Sequence, residues 1–414
     1  MTQDPTAHDT FASLRIRDFR FFLGFRFLLT FAVQMQGVIV GWQIYALTDD
    51  ALSLGMIGLA EALPYIGTSL FGGHVADVFN RKRVNVVCSL LFFVCSVAML
   101  TVTNYVSDDN QAVWLFYVII FATGIARGFL APSVSALFAQ IVPRSLYVNG
   151  SAWNTNVWQS AAVAGPAFGG LLYGWFGVVN AYLVAIVLAG LSIIMMLLIP
   201  TYPIPVKPKR EGVFRSIGEG IRFVLGNQII LAALTLDLVA VLFGGAVAVL
   251  PIFASKILHT GPEGLGYLRA APFLGSVVMG VFIASRRPMR HAGLNMLCCV
   301  AAFGLCNILF ACSELFWWSF FLLFMSGVFD NVSVVIRATI LQLMTPDEMR
   351  GRVSAVNNIF VGSSNEIGAF ESGLAAKLLG LIPSVVLGGS VAIVSVFVAY
   401  WKAPDLRKLD LRKL

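Results

Sequence analysis

Twelve runs of roughly 20 mostly apolar residues, each long enough to cross the hydrocarbon core of a bilayer as a helix, leave this chain few folds to choose from. They fall near 19–47, 53–78, 84–104, 113–139, 151–174, 178–200, 229–256, 264–285, 292–312, 316–344, 353–378 and 381–401. A soluble fold has too little interior to hide them. Of the 414 residues 58% are hydrophobic and 12% charged, against about 25% charged in soluble domains. A transmembrane β-barrel would need short segments alternating apolar and polar, and these runs do not alternate. The sequence predicts an all-α membrane protein with 12 transmembrane helices.

The cations set its orientation. With the N-terminus in the cytoplasm, most of the 28 Lys and Arg fall on that side. Arg15, Arg17, Arg20, Arg81, Lys82, Arg83, Arg144, Arg286, Arg287, Arg290, Arg350 and Arg352 do so, with the cations of the central loop and tail. The opposite loops carry Asp49, Asp50, Asp108, Asp109, Glu263 and Glu314. Repeated over every loop, this is the positive-inside pattern, with both termini cytoplasmic. The net charge of +7 is thereby a topology signal, and no nucleic-acid partner is expected. Residues 1–18 are polar and the first apolar run is too long for a cleavable signal peptide. The six cysteines lie mostly within runs, with no histidine at ligand spacing. No metal or cofactor is expected.

One long polar interruption, 201–228, divides the chain into six runs and six. It opens as a Pro- and Lys-rich linker and continues as FRSIGEGIRFVLGN, an amphipathic stretch with Phe214, Ile217, Ile221 and Val224 on one face. The expected units are 1–200, a 201–228 linker and 229–414. The two units resemble each other. Gly58, Pro64, Gly67 and Gly72 recur 208 residues later as Gly266, Pro272, Gly275 and Gly280. Gly124, Pro143, Ser151, Ala152, Asn154, Gly165 and Gly170 recur at a spacing of 203 as Gly327, Pro346, Ser354, Ala355, Asn357, Gly368 and Gly373. Two consistent offsets indicate a duplicated six-helix unit, and parallel repeats of this kind enclose a site between them at mid-membrane.

Three short stretches sharpen this. GGHVADVFNRKR, at 72–83, resembles the cytoplasmic signature of the major facilitator superfamily, with Gly73, Asp77, Arg81 and Lys82 in place, Val78 replacing a cation and Asn80 a glycine. The resemblance implies that Asp77 latches the two halves on the cytoplasmic side when the transporter faces outward. In the second half Ser285 stands where Asp77 would be. AAVAGPAFGG, at 161–170, is similar to the superfamily's antiporter motif through Gly165, Pro166, Gly169 and Gly170. Small residues at that spacing admit close helix packing, and the proline is expected to bend the helix. WQIYALT with LSLGMIGLAEALP, at 42–64, resembles the branch of the superfamily that holds enterobactin-type siderophore exporters and macrolide efflux proteins.

Arg26, Glu61, Arg127, Asp237, Arg269, Asp330, Arg337, Glu366 and Glu371 fall well inside runs. At about 2.5–3.5 kcal/mol for each charge facing lipid, they must face one another or a watery interior. The repeat places Arg127 opposite Asp330, Gln34 opposite Asp237 and Glu61 opposite Arg269. Asp330 and Arg337 lie two turns apart on one face. By the family resemblance Gln34, Arg127, Asp237 and Asp330 line a central space, with Arg26, Arg337 and Asn357 as further substrate contacts. Glu61, Asp237, Asp330 and Glu366 are the candidate proton carriers. Trp42, Tyr45, Trp153 and Trp158 either line the path or pack the bundles.

The expected activity is secondary export of a small amphipathic, drug- or siderophore-like molecule by alternating access, coupled to proton entry. Two alternatives stand beside it: a proton-independent facilitator or importer of an anionic or zwitterionic solute, and a non-transporting membrane receptor on the same fold. No nucleophile–base set, P-loop or dinucleotide string points to an enzyme. The expected partners are a small-molecule substrate, protons and membrane lipids, for a monomer spanning the inner membrane.

Overall fold

A computed structural model describes residues 11–203, 213–284, 290–346 and 349–410. Among them helix follows helix and no strand occurs, as a lipid solvent requires, since every backbone polar group must be satisfied within its own segment. The elements are α1 (Arg17–Thr48), α2 (Ala51–Val78), α3 (Arg81–Tyr105), α4 (Asp109–Ile141) and α5 (Tyr147–Leu197). The central α6 (Val213–Gly226) is followed by α7 (Gln228–Gly244), α8 (Leu250–Ile252), α9 (Pro262–Ala284), α10 (Ala292–Ala311) and α11 (Phe316–Met344). Last come α12 (Arg350–Leu379), α13 (Leu381–Lys402) and α14 (Pro404–Arg407). Asp50, Asn80, Asp108 and Asn227 accept from backbone N–H groups at the starts of α2, α3, α4 and α7. Asn80 takes this role with φ −64 rather than as a left-handed turn residue. Trp114, Trp175, Trp317 and Trp401 are exposed near helix ends, where aromatic belts meet headgroups.

By length and composition, 10 helices among the described residues are able to cross a membrane. Two features separate this number from the twelve apolar runs. First, α5 is 51 residues long and breaks not at Pro166 but at Gly177, with φ 82 and ψ 167, a conformation natural to glycine. Before the break, Gly165 and Gly169 lie on Phe31 to Met35 of α1, and Asn149 accepts from the Ser13 amide. After it, Tyr182 donates to Gln43 and, further on, Met195 lies beside Gly24. The second arm thus runs back along α1. Second, α12 spans 30 residues, about 45 Å of helix, but Asn357, Asn358, Asn365, Glu366 and Glu371 make it too polar to qualify by composition. The run expected at 229–256 is continuous as a membrane segment, Gln228–Ile257. Its helix gives way after Gly244 to a 3-10 turn, α8 and a π-turn at Phe253–Ile257.

The duplication is visible in the packing. A Cβ on Gly124 would lie 2.6 Å from the ring of Pro64, and one on Gly327 2.6 Å from the Cα of Pro272. The same proline–glycine pair therefore brings α2 onto α4 and α9 onto α11. The buried members of two apolar cores all belong to the first half, and those of another all lie from Val224 onward. A further core crosses between them, joining Val38, Tyr45 and Leu54 to Val249, Leu268 and Leu323.

That crossing lies at the end of the molecule that carries Asp49 and Asp50. There a Cβ on Gly373 of α12 would meet Gly55 of α2 at 2.6 Å, and one on Gly266 of α9 would meet Gly170 of α5 at 3.0 Å. Asp49 pairs with Lys256 at 2.8 Å and Asp50 with Lys377 at 3.3 Å. At the other end, added Cβ atoms on Gly67 and Gly73 would meet nothing, and Ser151, Ala152, Thr155 and Asn156 of α5 are exposed. The halves close at the acidic end and part toward Arg81–Arg83. Beneath them α6 packs on α12 through Gly220 and the Glu219–Arg352 ion pair. Its Val224 is buried and its Ile221 is 39% exposed, while the side chains of Phe214 and Ile217, like Ser285, Arg286 and Arg287, lie outside the described residues.

Candidate functional site

Where the closed end gives way to the cleft, Arg127 of α4 binds two carboxylates from different helices. Its Nη1 donates to Glu61 of α2 and, at 2.7 Å, to Glu366 of α12. The guanidinium also lies 5.6 Å from the Tyr65 ring centroid, a cation–π distance. Small residues make the arrangement possible. Gly124, one turn before Arg127, seats α4 on the Glu61 backbone, and Gly128 faces Thr68. Gly58 lets Ala369 and the Glu366 carbonyl approach α2, and a Cβ on Gly362 would strike the Tyr65 ring. Side-chain exposures of 36% for Arg127, 19% for Glu61 and 13% for Glu366 put the group at a wet boundary. Arg269 of α9 lies within electrostatic reach of both glutamates, so two cations balance two anions.

A second pair, Asp237 of α7 with Arg337 of α11, is sealed inside the second half at 6% and 7% exposure. From the sequence, Gln34, Arg127, Asp237 and Asp330 are expected around one space. In the structure Arg127 is bonded instead to Glu61 and Glu366, Asp237 to Arg337, and Gln34 packs its Cβ against Gly165. Asp330, Arg26 and Asn357 are each half-buried, and Arg26 Nε and Asn357 Oδ1 have no hydrogen-bond partner among the described residues. Tyr65, which the sequence reading did not single out, follows Glu61 by one helical turn and was legible on that ground.

Gly73 is exposed and Asp77 half-buried. Arg81 is buried, donating from Nε to the Ala76 carbonyl, and Lys82 donates to the Leu197 carbonyl at 2.8 Å. These bonds stay within the first half, where Lys82 caps the end of α5. Gly165 and Gly169 face α1, whereas Gly170 and the Pro166 carbonyl face Gly266 of α9. Trp42 and Tyr45 pack in the crossing core, Trp153 lies 5.7 Å from Phe11, and Trp158 is 37% exposed. At the acidic end, the hydrogen bond from Lys256 holds the Asp49 carboxyl below the usual carboxylate range. Asp50 is likewise lowered, its partial burial being outweighed by Lys377 and Ser53.

A multi-pass membrane protein whose duplicated halves clamp a charged group at mid-span and part toward one face has the build of a solute transporter. Residues 22–369 match the Major Facilitator Superfamily, and the chain belongs to that family. It is 25% identical over 382 residues to the enterobactin exporter EntS of Shigella boydii serotype 18, covering 90% of this chain and 88% of the relative. The EntS of Salmonella typhi is also 25% identical, covering 90% of this chain and 89% of the relative. Among solved structures, the nucleoside transporter NupG superposes with a TM-score of 0.71 at 12% identity, over 93% of this chain and 99% of that one. The D-xylose–proton symporter gives 0.70 at 13% identity, over 96% and 100%. At such identities the structures speak for the fold.

Proposed function

We propose that the chain is a proton-coupled exporter of a small amphipathic, siderophore- or drug-like molecule, working by alternating access as a monomer in the inner membrane. In this reading it has twelve spans, counting the two arms of α5 separately and including α12. They form two six-helix bundles, 1–200 and 229–414, joined by the 201–228 linker, with both termini cytoplasmic. The acidic end then faces outward and the cleft opens to the cytoplasm. The observation that carries the reading is Arg127 bound at once to Glu61 in its own half and Glu366 in the other.

With both glutamates ionised, the guanidinium ties α12 to α2 and α4 and favours closure of the outer end. A substrate entering from the cytoplasm displaces Glu366 from Arg127 and frees the outer end to open, and in the outward-open form Glu366 takes a proton from outside as the substrate leaves. Return to the inward-open form restores the pair and releases the proton to the cytoplasm. Each cycle moves a proton in and leaves the cleft ready for substrate from inside. Gly165, Pro166, Gly169 and Gly170 supply the close-packed surface on which α5 meets α9. Asp77, Arg81 and Lys82 serve the cytoplasmic end in the opposite state, while Gln34, Arg26, Asp330 and Asn357 offer polar contacts to substrate. Similarity to EntS supports export and suggests enterobactin as the first probe. In proteoliposomes, an imposed pH gradient should drive enterobactin uphill in the wild type. Glu366→Gln and Glu61→Gln should lose the drive while retaining downhill exchange. Full coupling in both variants would refute the mechanism.

A further inference from the structure

The Arg127 group leaves Arg269 unexplained. This side chain comes from α9, near the closed end of the cleft, and is half-buried. Its Nε is shielded and without a hydrogen-bond partner, and none of its nitrogens makes an ion pair or hydrogen bond among the described residues. Glu61 and Glu366 act on it only through space, since both are bonded to Arg127. The guanidinium carries five donors in a fixed fork; the shielded Nε is left unsatisfied, and Nη1 and Nη2 face the space beside α1.

The guanidinium lies over a strip of bare backbone on α1. A Cβ on Gly37 would sit 3.4 Å from its Nη1, and one on Gly41 would sit 3.8 Å from Nη2 and 4.0 Å from the Pro251 ring. Gly37 is exposed although it lies within a membrane helix, and no other heavy atom would come within 4 Å of a Cβ there. Open space therefore adjoins the fork at Gly37, walled by α1, α8 and α9. The two carboxylates within its electrostatic reach, Glu61 and Glu366, are already bonded to Arg127.

We infer that Arg269 is an oxyanion-binding point, and that the transported molecule carries a carboxylate or an acidic phenol that seats on its guanidinium beside Gly37. A planar oxyanion matches the fork bidentately, which Lys does not. The glycine supplies the room and the desolvated setting makes the charge-assisted bonds strong. Amphipathic substrates with an aromatic body and one acidic oxygen group fit this site. Those whose only charge is cationic do not.

The test is equilibrium binding and needs no transport. Benzoate, benzamide and benzylammonium have similar shape and differ in charge. Their binding to detergent-purified full-length protein is followed by saturation-transfer nuclear magnetic resonance. The wild type should bind benzoate saturably and in preference to the other two. Arg269→Gln should weaken benzoate about tenfold or more, the worth of one charge-assisted hydrogen bond, and Arg269→Lys should lie between. Gly37→Leu keeps the charge but fills the space, so it should lose benzoate while running as a folded, monodisperse species. This second variant decides the matter if removal of the arginine unfolds the chain. No saturable benzoate binding to the wild type would overturn the assignment, as would equal affinity for the three probes or unchanged affinity in Gly37→Leu. Failure of proton-driven export with benzoate binding intact would instead count against the transport mechanism alone.

Discussion

Replacing Gly373 by alanine should open the acidic end, the outer one in the proposed orientation, without unfolding either half. The three atoms nearest an added Cβ are the Cα and N of Gly55, at 2.6 and 2.7 Å, and the carbonyl oxygen of Ala51, at 2.8 Å. All three are backbone of α2, so no side chain can swing away. Ordinary contact begins near 3.4 Å, and the α2 backbone must retreat by roughly 0.8 Å at this point. Overpacking of this kind costs about 1–3 kcal/mol. Because the clash is with the other half, the cost falls on the closed arrangement and not on the fold of the second bundle. It corresponds to a shift of about 5- to 150-fold in the conformational equilibrium. The assay uses a chain whose native cysteines are replaced and in which Ala369, pressed against Gly58, is made cysteine. A membrane-impermeant maleimide added from outside should react faster in the Gly373→Ala background by about that factor. Gly67→Ala, which touches nothing, should leave the rate unchanged. Equal rates in both backgrounds, with the protein intact, would refute the reasoning that these glycines hold the outer end shut.

Further consequences concern charge and packing. Asp49 and Asp50 are held below their ordinary carboxylate values, so their pairing supports closure above about pH 4 and is lost as pH falls through the lowered values. The spin–spin distance between labels at the exposed outer positions Tyr105 and Leu315 should show a lengthening step below about pH 4 in the wild type, and that step should be absent when Asp49 and Asp50 are both changed to asparagine. Asp237→Asn leaves Arg337 buried without its counter-charge and should cost about 3–5 kcal/mol, whereas the double change Asp237→Leu with Arg337→Met should be near neutral; thermal melting in detergent reads both. Gly327→Ala drives a Cβ into the Pro272 backbone within one half, and it should lower stability by about 1–3 kcal/mol.

The helices were legible because lipid as solvent imposes a length and a composition that a one-dimensional reading detects. Pseudo-symmetry was legible too, since the Pro64–Gly124 contact and its copy, Pro272–Gly327, depend on residue types that recur at fixed spacing. The repeat also placed opposite charges at equivalent positions, which pointed to a charged interior. It did not disclose the partners. Arg127 meets Glu366 across 239 residues, and no helical period links them, so pairing depended on how α2, α4 and α12 pack. For the same reason the pairing of Asp237 with Arg337, on α7 and α11, was not legible. Lys82 was legible as a cytoplasmic cation of the signature, but not as the cap on the carbonyl end of α5, a contact set by the return of a helix more than a hundred residues away. The chain reversal at Gly177 matches the gap between the fifth and sixth apolar runs, although composition alone takes Asn149–Leu197 as one span.

The most direct measurement is a pair of spin–spin distances in lipid bilayers, one outer, between Tyr105 and Leu315, and one inner, between Gly73 and His291. With Glu61 and Glu366 both changed to glutamine, the charges that hold Arg127 are gone, and the outer distance should lengthen while the inner one shortens. Distances that stay as in the wild type, or that lengthen together, would contradict a cleft whose two ends open in turn around this arginine.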